Sequence, residues 1–245
     1  MTRRRWIADE VRGNTAELTG EHASHLARVL RAQIGQEFDI AVGDSVRRGK
    51  IIAISEDRVE FALGDPVPVR PAANLTLVLA IFKFDRMEWA IEKCTEIGAT
   101  KIVPLIARRT DTHLAAAASK RHERWQRLVL QASEQSRRVS PPEISSPIKF
   151  KDFSEIVASA DTTVARIVLA ESEEERQFRD VVGTSKSGAI LAIGPEGGWT
   201  DDELHWFGQA GWTAASLGDS ILRAETAAIV ATSLAIDAMR ASNSG

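Results

Sequence analysis

The first seventy residues carry apolar positions in the short, alternating pattern that is typical of β-strands. Turns that contain glycine or acidic residues, such as VGDS and SED, separate these segments. One helical pattern interrupts them at residues 20–31, where Leu26, Val29 and Leu30 form an apolar stripe. The region is therefore predicted to be a small, barrel-like β domain. Its predicted strands are residues 5–8, 37–42, 50–55 and 58–63.

A proline-rich segment at residues 64–74 separates this region from the rest of the chain. Because its prolines can neither continue a helix nor pair inside a sheet, we predict domains at 1–70 and 71–245. Beyond it, strand and helix patterns alternate, which predicts an α/β domain with a mainly parallel sheet covered on both faces. The predicted strands are residues 75–82, 100–107, 163–170, 189–193 and 213–217. The predicted helices are residues 85–97, 119–137, 150–160, 200–210 and 224–240.

Two glycine turns connect strands to helices in the last third of the chain. The first, LAIGPEGGWTDDE at residues 191–203, ends in a capping box formed by Thr200 and Glu203. Its glycines permit close approach of a ligand to the backbone. The turn carries an acid, has no lysine and matches neither phosphate-binding glycine pattern, which excludes a nucleoside triphosphate and disfavours NAD. A tight structural turn and a site for an uncharged or cationic ligand with an adenine ring both stay open.

The second turn, SLGDSILRAET at residues 216–226, leads into an alanine-rich helix. Glu225 in the first helical turn is favoured by the helix dipole and could simply cap the helix. The dipole does not favour a cation at Arg223, which suggests another partner for that side chain. The small residues of the helix predict close packing, which includes packing against a partner subunit as one possibility.

The charge of the chain is unevenly distributed. Residues 71–150 have a net charge of +5, whereas residues 151–245 have −8. The basic region indicates a polyanionic partner, although a solvated helix face explains residues 120–127 equally well. A single cysteine, Cys94, rules out an internal disulfide framework and favours a reducing compartment, so we expect a cytoplasmic protein. No segment has the pattern of a signal peptide or of a membrane span, and we expect no membrane anchor.

Five motifs in order give the chain a family resemblance: HLARVLR, DRMEWAIEKCTEIGATKIVP, LVLQASEQSRR, GPEGGWTDDE and SLGDSILRAETA. In this order and spacing the chain resembles the RsmE family of bacterial ribosomal RNA small subunit methyltransferases over nearly its whole length. The resemblance implies a PUA-like β domain at 1–70 and a SPOUT-class methyltransferase domain with a C-terminal trefoil knot at 71–245. It also implies a homodimer.

The implied reaction transfers a methyl group from S-adenosylmethionine to N3 of a uridine in 16S ribosomal RNA, either as naked RNA or in the assembled small subunit. The residues expected to bind the cofactor are Leu169, Ala170, Glu171, Ile193, Gly194, Pro195, Glu196, Gly197, Gly198, Leu217, Gly218, Ile221, Leu222, Arg223 and Thr226. The residues expected to bind RNA are Arg5, His25, Arg28, Arg31, Arg109 and Arg138. No metal site is expected, since the histidines have no metal-ligand spacing with Cys94.

Catalysis is expected to use Arg138, Arg223 and Glu225. A uridine imide nitrogen must lose a proton before it attacks a methyl group, and an arginine near the base oxygens would stabilise the negative charge that develops. Arg138 is the first candidate for that role and Arg223 the second. The candidate proton acceptors are Glu134, Glu196 and Glu225.

The chain departs from the family motif at EQSRRVSPPEI. Arg137 stands where the family usually has glycine, and Ser140 stands where it has a second arginine. Arg108 replaces a customary acidic residue before Arg109. Two rival functions stay open. One is a SPOUT transferase that acts on transfer RNA or on a ribose hydroxyl, which the HLARVLR region disfavours. The other is an RNA-binding factor without catalysis, which the intact glycine turns disfavour.

Overall fold

The computed structural model describes residues 5–153, 163–183 and 187–242. These residues divide into two compact units. The first contains the chain up to Pro71 together with Ser133–Pro141, and the second contains Ala72–Ala132 and the chain from Pro142 onward. A short segment from the middle of the sequence therefore belongs to the N-terminal unit.

The N-terminal unit is built on a mostly antiparallel sheet. Its strands are β1 (Arg5–Ile7), β2 (Glu10–Arg12), β3 (Thr15–Thr19), β4 (Glu37–Val42), β5 (Ser45–Ile54) and β6 (Arg58–Pro66). They lie in the order β1-β4-β5-β6-β3-β2, and only the β1–β4 pair among these described strands is parallel. Between β1 and β2 the backbone N–H of Ala8 donates to the Ala41 carbonyl at 3.0 Å and that of Asp9 to the Glu17 carbonyl at 2.9 Å, so one stretch of chain bonds to both β4 and β3 and the sheet curls, in keeping with the barrel-like prediction. The β2–β3 hairpin is absent from the sequence prediction.

The predicted helix at residues 20–31 is shorter and changes its winding. Helix α1 (Gly20–Ser24) continues into a turn of π-helix at His25–Val29. Leu26 is fully buried, as the apolar stripe predicts, but Val29 is 66% exposed. The stripe prediction is wrong at Val29 because a π-turn has a longer period than an α-helix, which rotates that side chain away from the core.

The second unit contains a parallel sheet. Its strands are β7 (Leu75–Ala80), β8 (Lys101–Ile106), β9 (Glu143–Ile144), β10 (Ile148–Lys149), β11 (Ala165–Leu169), β12 (Ala189–Ile193) and β13 (Thr213–Ala215). The strand order is β10-β8-β7-β12-β11-β13, and β9 pairs with β8. Every described ladder in this sheet is parallel. The carboxyl ends of these strands therefore lie along one edge.

Helices cover both faces of this sheet. They are α2 (Phe84–Ile97), α3 (Thr112–Ala117), α4 (His122–Gln135), α5 (Phe178–Val182), α6 (Asp201–Gln209) and α7 (Ala224–Ser242). Alternate residues of β7 enter opposite cores: Leu77 packs in the cluster that contains α2 and α7, whereas Val78 packs in the cluster that contains α6. Within the described ranges, none of the helices has the length and apolar character needed to cross a membrane.

Three helical predictions need comment. The helix predicted at 119–137 begins with a 3₁₀ turn at Ala118–Arg121 and ends at Gln135, because Arg137 adopts φ 58° and cannot continue it. The helix predicted at 150–160 begins at Phe150, but residues 154–160 lie outside the described residues. Helices α3 and α5 are absent from the sequence prediction. Cys94 is buried in α2 as expected, and burial raises the pKa of its thiol to about 12.

Candidate functional site

A cavity of about 550 Å³ lies at the carboxyl ends of β11, β12 and β13. Loops that follow adjacent parallel strands meet at one edge of the sheet, which is where ligands bind in open α/β folds. The volume is typical of a small-molecule site, about 300–1,000 Å³. The loops after β7 and β8 contribute Arg86 and Arg109 to the same lining.

The GPEGG turn after β12 forms one wall of this cavity. The backbone N–H of Gly198 donates to the carbonyl oxygen of Pro195 at 2.8 Å, and Gly198 has φ 68°, which favours glycine. Immediately after it, Thr200 caps α6. Its hydroxyl accepts from the Glu203 backbone N–H, and the Glu203 carboxylate accepts from the Thr200 backbone N–H. The predicted capping box is confirmed, and it fixes the end of the turn.

Trp199 ties this turn to the neighbouring strand. Its indole N–H donates to the carbonyl oxygen of Leu169 at 3.1 Å, and the side chain is buried. Its ring also lies against Gly194, where a Cβ atom would approach the indole nitrogen to 3.2 Å. Trp199 thus sets the spacing between two walls of the cavity.

The loop after β8 holds the same turn from the other side. Arg109 Nη1 donates to the carbonyl oxygens of Gly197 at 2.9 Å and Trp199 at 3.0 Å. The second carboxylate oxygen of the buried Glu203 accepts from the backbone N–H of Arg108 at 2.9 Å. Sequence reasoning assigned Arg109 to RNA and Glu203 only to capping. The structure shows that both also connect two loops that are about ninety residues apart in the sequence.

The turn after β13 closes the opposite wall. The backbone N–H of Gly218 donates to the Ser216 hydroxyl oxygen at 3.3 Å, and that hydroxyl donates to the Gly218 carbonyl at 3.0 Å. Gly218 has φ 125°, a conformation that side chains rarely adopt. The exposed Arg223 then lines the cavity directly before α7 begins.

Acidic groups and one arginine meet where the GPEGG turn approaches the start of α7. Arg86 Nη1 donates to Glu196 Oε1 at 3.2 Å, and Arg86 Nε lies 3.8 Å from Glu225 Oε1. Glu225 is only 5% exposed, and its Oε2 atom has no hydrogen-bond partner among the described residues. The sequence places Arg86 in the first turn of a predicted helix that follows a predicted strand, but it does not indicate the contacts with Glu196 and Glu225.

The structure brings nearly all the residues expected to bind the cofactor to this one cavity. Among the described residues that line it are Leu169, Ala170, Glu171, Ile193, Gly194, Pro195, Glu196, Gly197, Gly198, Leu217, Gly218, Ile221, Leu222 and Arg223. Thr226 is the expected cofactor residue outside this described lining; it lies in the first turn of α7 and is half-buried. Sequence reasoning missed Arg86 and Ser172, which also line the cavity.

Several residues expected to bind RNA lie in the N-terminal unit. His25 and Arg28 border a shallow depression, and Arg28 forms an ion pair with Glu56. Arg31 is exposed and adopts φ 49°. Arg5 Nη1 donates to the carbonyl oxygen of Arg137 at 2.6 Å, within the same unit.

Arg138 also belongs to the N-terminal unit, in the segment Ser133–Pro141. Its Nε donates to the carbonyl oxygen of Ser140 at 3.2 Å. Burial lowers the pKa of its guanidinium from the usual value, although an arginine stays protonated. Ser140 is the position where the family usually has arginine, and here its carbonyl oxygen accepts a hydrogen bond from the Arg138 side chain.

The charges around the cavity do not suit a phosphate. The described acidic side chains in the lining are Glu171, Glu196, Asp201 and Asp219. Of the three basic ones, Arg109 donates to loop carbonyls, Arg86 donates to Glu196, and Arg223 is exposed directly before α7, so the described lining has one more acidic than basic side chain. A cavity with glycine-rich walls, accessible backbone and acidic character therefore suits an uncharged or cationic ligand, in agreement with the sequence argument.

Two family models match the chain. Residues 69–236 match the model described as an RNA methyltransferase domain, and residues 18–63 match the model described as an RNA methyltransferase PUA domain.

Relatives of named activity are similar to this chain along most of their length. The ribosomal RNA small subunit methyltransferase E of Synechocystis is 34% identical over 89% of this chain and 71% of the relative. That of Rickettsia conorii is 34% identical over 88% of this chain and 86% of the relative. The crystal structure of the Neisseria gonorrhoeae enzyme of the same name, bound to S-adenosylmethionine, has a TM-score of 0.82 at 27% identity and covers 98% of this chain and 97% of its own.

Proposed function

The chain belongs to the ribosomal RNA small subunit methyltransferase E family, and from that premise we propose that it methylates N3 of a specific uridine in 16S ribosomal RNA. The methyl donor is S-adenosylmethionine. The fold prediction is confirmed for an α/β methyltransferase domain with a parallel sheet and for an N-terminal PUA-like domain. The trefoil knot, the domain limits at 1–70 and 71–245, the homodimer and the cytoplasmic location stay proposals from the resemblance and the sequence.

One observation carries the cofactor assignment: the glycine turns after β12 and β13 and the end of β11 wall a single cavity of about 550 Å³. The adenosine part needs apolar walls and backbone hydrogen-bonding groups, which Leu169, Ile193 and Leu217 and their neighbouring turns offer. The sulfonium needs a site without excess positive charge, and the acidic lining meets that requirement. The donor set of the cavity therefore fits S-adenosylmethionine.

The protein contributes to the reaction by orienting the reactants and by accepting one proton. When bound, the cofactor supplies an electrophilic methyl carbon on a sulfur that leaves as a neutral thioether. The residues around the cavity hold the reacting atoms in line, which is the main contribution that a protein makes to a displacement. A uridine N3–H must be deprotonated as N3 forms its bond to carbon, and a positioned carboxylate acting as base contributes roughly 10²–10⁴ fold.

We propose that Glu225 accepts the proton from uridine N3 and that Arg138 and Arg223 stabilise the negative charge on the uridine oxygens. Glu225 is buried, and its Oε2 atom has no hydrogen-bond partner among the described residues. This oxygen can therefore accept the proton without breaking an existing hydrogen bond. Arg223 lies on the cavity wall. Arg138 is half-buried and is oriented by the Ser140 carbonyl. Preorganised cations of this kind stabilise charge that develops on an oxygen.

The RNA is proposed to bind the PUA-like unit through Arg5, His25, Arg28 and Arg31. We expect these cationic side chains to contact phosphates, which position the RNA. The uridine that reacts must be unstacked from its neighbouring bases before it can enter the active site. Such contacts are salt-dependent, because phosphate neutralisation releases counterions.

The test is methylation of 16S ribosomal RNA from cells that lack this protein. Purified protein, S-adenosylmethionine with an isotopically labelled methyl group, and either naked RNA or small subunits are incubated, and the RNA is digested for nucleoside mass analysis. We expect the label in 3-methyluridine. Label in a ribose-methylated nucleoside or in transfer RNA would contradict the proposal.

One variant refines this experiment. Arg138→Ala is expected to abolish turnover while cofactor binding, measured by calorimetry, persists. Retained turnover would remove Arg138 from the mechanism, and loss of cofactor binding would move it to the cofactor site. Cofactor binding without any methyl transfer by the wild-type protein to either RNA substrate would favour the non-catalytic RNA-binding alternative.

A further inference from the structure

Arg86 is the side chain that joins two cofactor loops from outside both of them. It lies in the first turn of α2, after the central strand β7. Its guanidinium reaches Glu196 in the GPEGG turn at 3.2 Å and Glu225 at the start of α7 at 3.8 Å. The two carboxylates belong to loops that follow different strands, and one guanidinium lies between them.

The contact between Arg86 and Glu225 is important for stability because Glu225 is buried. An exposed ion pair contributes little, and the Arg86–Glu196 pair taken alone is of that kind, with side chains 32% and 41% exposed. Glu225 differs because its side chain is only 6% exposed. A buried carboxylate that loses its cation is strongly destabilising, and here a second carboxylate lies close to the same guanidinium.

We propose that Arg86 is a positioning residue that holds the GPEGG turn and the start of α7 at the separation S-adenosylmethionine requires. This inference rests on the proposed function and adds a residue to it. The single positive charge of Arg86 lies close to both Glu196 and Glu225 and so reduces the repulsion between the two carboxylates. It acts on the cofactor through the loops.

The experiment compares Arg86→Gln, Arg86→Lys and a control, Arg179→Gln, in the full-length protein. Arg179 is a 78% exposed arginine of the same unit that pairs with its neighbour Asp180. Calorimetry measures the Kd of S-adenosylmethionine and of S-adenosylhomocysteine, which lacks the methyl group and with it the sulfonium charge. Thermal unfolding without ligand verifies that each variant is folded.

For Arg86→Gln we expect both dissociation constants to rise together, by about tenfold or more, which corresponds to about 1.4 kcal/mol per factor of ten. The KM for S-adenosylmethionine should rise, and any accompanying fall in kcat reports the loss of the contact between Arg86 and Glu225. Arg86→Lys should recover part of the affinity, since lysine keeps the positive charge but lacks the planar guanidinium that can face two carboxylates at once. In a double-mutant cycle, Glu196→Gln should cost less in the Arg86→Gln background than alone.

The inference is overturned by any of three results. The first is unchanged affinity for both ligands. The second is affinity that shifts towards S-adenosylmethionine over S-adenosylhomocysteine, which would mean that Arg86 acts on the sulfonium charge. The third is a fall in kcat with unchanged KM. These results differ from a failure of the proposed function, in which the wild-type protein itself binds neither ligand.

Discussion

The indole N–H of Trp199 donates to the carbonyl oxygen of Leu169, 3.1 Å away, and so joins the GPEGG turn to the end of β11. Both residues line the candidate cofactor cavity. A hydrogen bond from a buried tryptophan to a main-chain carbonyl fixes the position of a loop more firmly than apolar packing alone, because it requires a particular distance and direction between the two groups.

The first prediction is that Trp199→Phe weakens cofactor binding and lowers stability. The phenylalanine keeps the aromatic packing but removes the donor, which should cost about 1–3 kcal/mol in the free energy of unfolding. Urea denaturation and calorimetry with S-adenosylmethionine measure the two effects. The control is Trp89→Phe, at a 49% exposed tryptophan of α2, which should change stability by less than about 0.5 kcal/mol. Equal effects at both positions would contradict the role given to Trp199.

The second prediction concerns Arg109, which the sequence assigned to RNA. Because its guanidinium donates to the carbonyl oxygens of Gly197 and Trp199, Arg109→Gln should raise the Kd of S-adenosylmethionine by about tenfold, or about 1.4 kcal/mol. Calorimetry provides this number. Fluorescence anisotropy with a 16S RNA fragment, repeated at several salt concentrations, measures the RNA contribution separately.

Arg108→Gln is the matched control for that variant. The Arg108 side chain is 66% exposed, and its backbone N–H, which Glu203 holds, is unaffected by the substitution. We expect unchanged cofactor affinity for this variant. If Arg109→Gln instead weakens RNA binding and leaves cofactor affinity intact, Arg109 is an RNA contact and its bonds to the loop are secondary.

The sequence predicts those parts of this site that depend on local signals. Thr200 and Glu203 form a capping box at fixed spacing, and the apolar runs of β7 and β12 identify buried strands without reference to anything distant. The β2–β3 hairpin was missed because β2 is short and exposed throughout, so it has no apolar alternation. Arg86 was missed because its partner Glu196 is 110 residues away, and no local pattern records such a contact.

The third prediction follows from the backbone of Arg137. The end of α4 forms a Schellman motif: Arg138 N–H donates to the Ser133 carbonyl at 2.8 Å, and Arg137 N–H donates to the Glu134 carbonyl at 3.1 Å. Arg137 occupies the position of this motif where glycine is usual, with φ 58°. The family's glycine is thus replaced without loss of the backbone geometry, at the cost of a left-handed conformation.

Arg137→Gly should therefore stabilise the protein. The left-handed conformation costs an ordinary residue roughly 1–2 kcal/mol, and the substitution removes this cost. Glycine also gives the unfolded chain more conformational freedom, which offsets part of the gain and leaves a net stabilisation of about 0.5–1 kcal/mol. Chemical denaturation measures it. Arg127→Gly, at an exposed position inside α4, is the control and should destabilise by about 1 kcal/mol. A loss of stability at both positions would show that the Arg137 side chain contributes more than its backbone strain costs.

The fourth prediction is a pH dependence of stability that originates at His22. The Glu134 carboxylate, 2.9 Å from Nε2, raises the pKa of His22 above its usual value, and Asp9 near Nδ1 acts in the same direction. A histidine with a raised pKa in the folded state contributes stability that is complete below the unfolded pKa of about 6.5 and is lost as the pH rises through the folded value.

The free energy of unfolding of the wild-type protein should consequently fall as the pH rises above about 6.5, and the His22→Gln variant should lack this part of the decline. Urea denaturation at pH steps from about 5.5 to 8.5 measures both curves. Glu134→Gln is the matched variant, because it removes the main cause of the raised pKa and leaves the imidazole in place. Its curve should run parallel to that of His22→Gln. If both variants instead keep the full wild-type slope above pH 6.5, another group is responsible, and the His22–Glu134 contact does not stabilise the N-terminal unit through charge.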